Sequence, residues 1–452
     1  MSFSDLVSRI EKNDNDIRSI LDGPNGLAYM DQTDGDGYTP LMVACKHSNH
    51  AAARMIIERN PRSILFIAGD RCTPLILACE QASETTAKII IEGLEVYSTS
   101  PPDQRVCLQN INSKRTTDGC TALMVTCKDK IEKAKNLRWG TKHYTIYTYL
   151  KSLMPDLNVD IKDNEDNTAL LHLCGVTTTD TDTRSKLFNV AKDLINNQQA
   201  GINMHNILGE TPLMFASKIG YTSITNLLLQ NGASLNTARK YDGATALLFA
   251  IVKNNTEIVK QLITSGADVN IGTRQFGYTP LMAACNQDTQ NYDIIKKLVE
   301  NGASVNAVKR DDGYTALILA CKRKHDRLGA PTKIVNLLLE NKADVNIATT
   351  HYNITALMWA SYNGHEEVVN SLLKKNADFN KVTTNGLTAF KLASIGKHPR
   401  IIYRLTEYIK VLHGEKKQKI LNTRRVRHDK NKETRYERKG LLELLKVLGH
   451  QR

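Results

Sequence analysis

The chain has 452 residues, of which 41% are hydrophobic and 24% are charged, and its net charge is +13. This composition excludes a chain too polar to build a core. The sequence contains no apolar run of the length, about 18 residues, that a membrane-spanning helix needs. The first residues lack the basic region and apolar block of a secretory signal, so we expect a cytoplasmic or nuclear protein.

One sequence motif recurs along the chain. It reads Gly-Tyr-Thr-Pro-Leu-Met-Val-Ala-Cys from Gly37, and it returns with small changes from Gly277 and Gly313. With looser copies included, the motif occurs ten times. We call its threonines the anchors: Thr39, Thr73, Thr121, Thr168, Thr211, Thr245, Thr279, Thr315, Thr355 and Thr388. Successive anchors are 34, 48, 47, 43, 34, 34, 36, 40 and 33 residues apart. This period predicts a repeat protein.

Each repeat is predicted to contain two helices. The anchor hydroxyl can accept a hydrogen bond from the first helical turn, where the proline that follows four of the anchors is also tolerated. Later in the repeat, the apolar spacing of segments such as 224–228 predicts a second helix with one apolar face. Glycines near its end, at Gly232, Gly266 and Gly302, suit a left-handed helix terminus. We call the first helix inner and the second outer.

These sequence motifs and their period resemble the ankyrin repeat over roughly residues 30 to 395. The resemblance implies an all-α solenoid of helix–turn–helix units with extended finger loops, about ten repeats long. We place a degenerate capping repeat at residues 1–31, the array at 32–413, and a basic tail with an amphipathic helix at 414–452. The Thr-Pro/Ala-Leu-Met-x-Ala-Cys variant and the many Asn and Lys residues resemble the ankyrin families of giant amoeba-infecting DNA viruses.

The chain departs from the family pattern in three ways. The histidine of the family signature is replaced by an apolar residue in nine copies and by Lys391 in the last, so apolar contacts should substitute for its hydrogen bonds. The second alanine is often cysteine, which we interpret as a small buried hydrophobe. Insertions lengthen four repeats, and we expect surface loops at residues 98–115, 128–145, 175–186 and 322–331.

The sequence contains no convincing catalytic, cofactor or metal motif. His365-Glu366-Glu367 begins like a zinc-protease helix but lacks the second histidine. His172 and Cys174 are two residues apart, and such residues do not face each other on a helix. We therefore predict a non-enzymatic protein without a cofactor.

The resemblance places the candidate binding site by register, because partners of ankyrin arrays usually meet the fingers and inner helices on the concave side. The residues selected in this way are Arg239, Lys240, Tyr241, Arg274, Phe276, Lys309, Arg310, His351, Tyr352 and Tyr362. Arginine and tyrosine are enriched at binding hot spots. We expect a scaffold for a protein partner with an acidic surface, a monomeric chain and no membrane contact. For any single one of these residues, the alternative is that its side chain is exposed and contacts only solvent.

The tail offers a second candidate site. Between Gly414 and Gly440, eleven Lys or Arg residues oppose four Asp or Glu residues. The basic clusters are Lys416, Lys417, Lys419, Arg424, Arg425 and Arg427. They are typical of nuclear localisation signals and nucleic-acid contacts, and equally of solvated tails. The alternatives to a scaffold are thus a nucleic-acid-associated protein acting through the tail and a ubiquitin-ligase substrate adaptor, although no F-box-like Leu-Pro-x-Glu start is found in the tail.

Overall fold

The computed structural model describes residues 2–14, 16–97, 101–128, 139–152, 157–196, 200–287, 291–323 and 330–412. The basic tail therefore lies outside the described residues. Two compact units divide the chain, one ending at Ala316 and the other beginning at Leu317. Over the described ranges the secondary structure is helical, apart from one isolated bridge between Ala348 and Thr355. No helix in these ranges is both long enough and apolar enough to span a bilayer.

The inner helices begin directly after the anchors. Their bounds are Pro40–Lys46, Pro74–Glu80, Ala122–Cys127, Ala169–Gly175, Pro212–Ile219, Ala246–Val252, Pro280–Cys285, Ala316–Lys322, Ala356–Asn363 and Ala389–Ile395. In nine of these helices the anchor hydroxyl accepts a hydrogen bond from the backbone amide three residues later. The predicted threonine caps are confirmed in these nine repeats.

The outer helices are longer. Their bounds are His50–Arg59, Glu84–Tyr97, Thr141–Ser152, Thr181–Asn196, Thr222–Gln230, Thr256–Thr264, Tyr292–Glu300, Ala330–Glu340, Glu366–Lys374 and residues 399–412. The glycines predicted at their ends, Gly232, Gly266 and Gly302, have φ angles of 79°, 93° and 82°. A side chain is disfavoured in this left-handed region, which explains the glycine.

Successive repeats stack through their apolar faces. Within the first unit each inner helix packs against the inner helix of the next repeat, and each outer helix packs against the next outer helix. The residues that replace the signature histidine lie in this interface, as Met42 and Met282 do with no exposed surface. Only the last of them, Lys391, is exposed. All nine cysteines are buried, which confirms the interpretation of the six at the second-alanine position as small buried hydrophobes.

Asparagine side chains add polar links between repeats. The Oδ1 atom of Asn270 accepts from the amide of Ser304 at 2.7 Å, and its Nδ2 atom donates to the carbonyl of Gly302 at 3.0 Å. Asn346 makes the same pair of bonds in the second unit, to Asp378 and Asn376. The recurring Asp-Val-Asn stretch is thus a connector between neighbouring units of the repeat.

The N-terminal residues form three short helices, Phe3–Glu11, Arg18–Leu21 and Gly26–Met30. The first of them packs against the inner helix Pro40–Lys46. A further 3-10 helix, Pro61–Leu65, follows the first outer helix.

The loop prediction was wrong for parts of all four insertions. Residues Pro101–Ile111 form a helix, and Cys107 and Ile111, four residues apart, are buried. This apolar spacing follows one helix face and could have been recognised in the sequence. The outer helices that begin at Thr141, Thr181 and Ala330 likewise occupy positions that we expected in loops.

Candidate partner-binding surface

The loop that precedes an anchor is a finger, and backbone hydrogen bonds join seven pairs of neighbouring fingers within the two units. The amide of Arg274 donates to the carbonyl of Asp242 at 2.7 Å. Similar bonds within the first unit run from Thr116 to Asp70, Asn164 to Asp118, Ile207 to Glu165, Lys240 to Leu208 and Arg310 to Phe276. In the second unit Thr384 donates to Tyr352 at 3.2 Å. Within each unit, the fingers joined in this way are therefore held in place before any partner binds, which lowers the entropy cost of binding.

Glycine lets the fingers approach so closely. Gly243 has a φ angle of +76°, and a Cβ atom there would lie 2.8 Å from the amide nitrogen of Arg274. At Gly209 an added Cβ atom would likewise lie 3.0 Å from the amide nitrogen of Lys240, and at Gly277 it would meet the side chain of Arg310 at 3.4 Å. All three cationic residues are exposed. We call Lys240, Arg274 and Arg310 the basic row.

Two other predicted site residues are engaged inside the protein. Arg239 donates to Asp242 at 2.6 Å and to Glu210 at 3.0 Å. The hydrogen bond with Asp242 is the main reason that the pKa of Arg239 is raised and that of Asp242 lowered. The ammonium of Lys309 contacts both Asp311 and Asp312 within 2.9 Å. Their charges are balanced locally, unlike those of the exposed basic row.

Arg115 shows that this pairing recurs in an earlier finger. Its guanidinium donates to Asp118 at 2.8 Å and to Glu80 of the preceding repeat at 3.0 Å. Burial alone would lower the pKa of Arg115, but the hydrogen bond with Asp118 and the charge of Glu80 outweigh it and raise the pKa. In both fingers the arginine lies six positions before its anchor, and it secures the finger to the repeat behind it.

The predicted aromatic residues are exposed to different extents. Tyr241 is 87% exposed, Tyr352 62%, and Phe276, which lies under the ammonium of Lys309, 38%. Exposed aromatic side chains on rigid backbone are the residue types that anchor protein interfaces. His351 is also exposed, beside Tyr352 in the finger of the ninth repeat.

In the second unit, Tyr352 and Tyr362 contribute to one cavity of about 270 Å³. We call it the aromatic cavity, and its lining is Tyr352, Ile354, Met358, Trp359, Tyr362, Thr383, Thr384, Asn385, Leu387 and Leu392. Trp359 was missed by the sequence analysis. Trp359 occupies the position four residues after its anchor, where other repeats carry Val43, Leu77 or Ala283. The large indole at this position is the sequence feature that could have identified Trp359 as a site residue.

One cluster contains metal-ligand side chains that the sequence analysis did not bring together. The ligand atoms of Cys120, Asp163 and His172 lie within 4.8 Å of one another. Asp163 is already engaged, because one carboxylate oxygen accepts from the amides of Glu165 and Asn167 and the other lies 2.8 Å from His172 Nε2. Burial raises the pKa of the Cys120 thiol to about 12. The hydrogen bonds make this cluster a structural clamp at the base of a finger.

Comparison with known proteins agrees with this architecture. A family model described as ankyrin repeats in three copies matches residues 7–100, 183–273, 269–349 and 327–413. The chain belongs to the ankyrin-repeat family. Ankyrin repeats generally mediate protein–protein interaction, through the extended surfaces that stacked repeats present.

Similar individual proteins cover less of the chain. Ankyrin repeat and SAM domain-containing protein 6 is 41% identical over 66 residues in Rattus norvegicus and 39% identical over 66 residues in Mus musculus. Each match covers 15% of this chain and 8% of the relative, so the chain spans a small part of those proteins. The ankyrin repeat domain of Bcl-3, a member of the IkappaB family, has 25% identity and a TM-score of 0.40, over 49% of this chain and 93% of that one.

Proposed function

We propose that this chain is a non-catalytic scaffold that binds a protein partner over its fingers and inner helices. The observation that carries the proposal is the basic row, Lys240, Arg274 and Arg310. Its three cationic residues are exposed on successive fingers, and backbone hydrogen bonds join each of these fingers to the one before it. A partner with an acidic surface fits this row, because complementary charge speeds association and selects among partners.

The chemistry of the buried groups supports a binding role rather than catalysis. A nucleophilic cysteine needs a lowered thiol pKa, whereas burial raises the pKa of Cys72 and Cys120 to about 12. The carboxylate of Asp163, which could assist such a thiol, accepts hydrogen bonds from the protein's own amides.

The experiment is affinity purification of the full chain from cell extract, followed by mass spectrometry. A triple variant, Lys240→Ala with Arg274→Ala and Arg310→Ala, should lose the partner. The matched control removes three exposed outer-helix cations instead, with Lys192→Ala, Lys260→Ala and Lys296→Ala. The same partner retained by both triple variants would exclude the basic row as the binding surface.

The alternatives that involve residues 414–452 remain predictions from the sequence, as does the resemblance to viral families. A chain truncated after residue 413 separates these alternatives from the proposed scaffold. Loss of a co-purifying cullin adaptor on truncation would indicate the ligase role. Loss of salt-sensitive DNA or RNA binding would indicate the nucleic-acid role. The scaffold proposal expects the partner to remain bound to the truncated chain.

A further inference from the structure

The aromatic cavity has the size of a site for one large side chain. Its volume of about 270 Å³ lies just below the range of about 300–1,000 Å³ that small-molecule sites occupy. Its walls come from the inner helix Ala356–Asn363 and from the finger at residues 383–387. The rings of Trp359 and Tyr362 meet edge to face, with centroids 6.2 Å apart.

The walls are fixed before anything binds. Thr384 donates from its amide to the carbonyl of Tyr352, and Asn353 Nδ2 donates to the carbonyl of Val382 at 2.6 Å. At the other end of the inner helix, Asn363 donates to the carbonyl of Lys322 at 2.8 Å. These bonds connect the cavity to the repeats on both sides. The walls are therefore already ordered, and binding costs little conformational entropy.

Trp359, which lines the cavity, has one polar atom without a partner among the described residues. The indole N–H of Trp359 is shielded from solvent and meets no acceptor among the described residues. A buried indole N–H normally has a hydrogen-bond partner. Because this atom has almost no accessible surface, a peptide in the cavity would not reach it, and an apolar side chain would fill the space beside the ring.

The chain segments that line the cavity carry no acidic residue. Residues 345–365 and 379–406 contain no Asp or Glu, and the second stretch carries six Lys, Arg and His residues, of which Arg400 and Arg404 pair with Glu366. Lys322 Nζ lies 5.8 Å from the centroid of the Trp359 ring. On the other side, Lys391 is exposed, and its Nζ lies 3.4 Å from the carbonyl of Gly386, in the finger that forms one wall. Carboxylates on both sides of an apolar anchor would therefore be attracted.

We propose that the aromatic cavity binds one aromatic or branched apolar side chain of an acidic peptide segment in the partner protein. This inference rests on the proposed scaffold function and names the chemistry that one of its surfaces recognises. The basic tail of the same chain fits less well, since like charges would face Lys322 and Lys391. A second copy of this net-positive chain is disfavoured for the same reason.

The test uses the full chain labelled with 5-fluorotryptophan. Only two tryptophans, Trp139 and Trp359, give fluorine resonances, and the variant Trp359→Phe assigns them. The probe is the synthetic peptide Ser-Asp-Glu-Asp-Phe-Asp-Glu-Asp-Ser. We expect it to shift the Trp359 resonance and to leave that of buried Trp139 unchanged. Replacing the central Phe with Ala should weaken binding at least about tenfold, because a fully buried aromatic side chain contributes that much.

Charge variants separate the cavity from nonspecific attraction. Lys391→Glu should weaken the peptide severalfold. Lys374→Glu makes the same charge change on the outer helix of the ninth repeat and should have little effect. Tyr362→Ala should also weaken binding, and because Tyr362 is 41% exposed, this variant is expected to fold. Equal binding of a peptide with Lys in place of every Asp and Glu would overturn the proposal.

Other occupants give different outcomes. A shift of the Trp359 resonance on deleting residues 414–452, without peptide, would show that the tail fills the cavity. A shift that grows with protein concentration would show a second copy. Either result overturns the peptide proposal and leaves the scaffold intact. If instead the purified partner is retained by Tyr362→Ala and lost by the basic-row variant, the cavity proposal fails alone. If both variants retain the partner, the cavity proposal and the basic-row proposal both fail.

Discussion

The amide of Arg274 donates to the carbonyl of Asp242, 2.7 Å away, and so joins the fingers of two successive repeats. The side chain of the same Asp242 binds Arg239. One residue thus holds its own finger through its carboxylate and the next finger through its carbonyl. The exposed arginine of the pair, Arg274, remains available to a partner because Arg239 already neutralises Asp242.

Gly243→Ala should destabilise the protein more than Gly232→Ala. Both glycines have positive φ, of 76° and 79°, so both variants incur a backbone cost of about 1–2 kcal/mol. At Gly243 the added Cβ would also approach Arg274 N to 2.8 Å, whereas nothing lies within 4 Å at Gly232. Urea unfolding followed by circular dichroism measures both losses. Equal losses would show that the close approach between fingers carries no stability.

Arg239→Ala should lower the free energy of unfolding by about 1–3 kcal/mol, because charge-assisted hydrogen bonds to Glu210 and Asp242 are lost. Lys240→Ala should change it by less than about 0.5 kcal/mol, since Lys240 is exposed. The double variant Arg239→Ala with Glu210→Ala should lose less than the sum of the single losses. Strict additivity in urea unfolding would contradict a direct interaction between these two residues.

Asp163→Asn should weaken the fold at neutral pH and cease to matter in acid. Burial alone would raise the pKa of Asp163, but hydrogen bonds from His172 and Asn167 outweigh it and lower the pKa. A lowered folded-state pKa contributes stability above the unfolded value of about 3.9, and that stability is lost as pH falls through the folded pKa. We expect a loss of about 1–3 kcal/mol at pH 7.

Thermal unfolding of Asp163→Asn and the parent chain from pH 7 to pH 2 measures this convergence. The control is Asp268→Asn, an exposed carboxylate that accepts one backbone amide, from Asn270. A constant difference between Asp163→Asn and the parent across the whole range would show that the charge of Asp163 does not stabilise the fold.

The cysteines should resist alkylation in the native protein. Burial raises the pKa of Cys79, Cys174 and Cys285 to about 12, and only the thiolate reacts readily. Iodoacetamide at pH 8 should therefore modify few of the nine cysteines in buffer and all of them in urea, as counted by intact-protein mass spectrometry. Rapid native modification of several sites would mean that the interface between stacked helices opens easily.

Local features of the fold were predictable from sequence alone. The anchor threonines marked helix starts, because an N-cap depends on residues within one turn, such as Thr39 and Met42. The glycine ends and the apolar faces of the outer helices follow from the same short-range geometry. The helix at Pro101–Ile111 was missed even though its apolar spacing was visible, since it lies in an insertion into the repeat, where we expected a surface loop.

The binding surface depended on tertiary structure. Arg239 lies six positions before its anchor and Arg274 five, and Arg239 meets Glu210, which lies 29 positions away in the sequence. The aromatic cavity likewise needs its second wall from the next repeat, at residues 383–387. Sequence determined that the repeats form, because each helix and turn encodes its own geometry. Stacking decided which charges remain exposed, because partners separated by a whole repeat meet only when the apolar faces close.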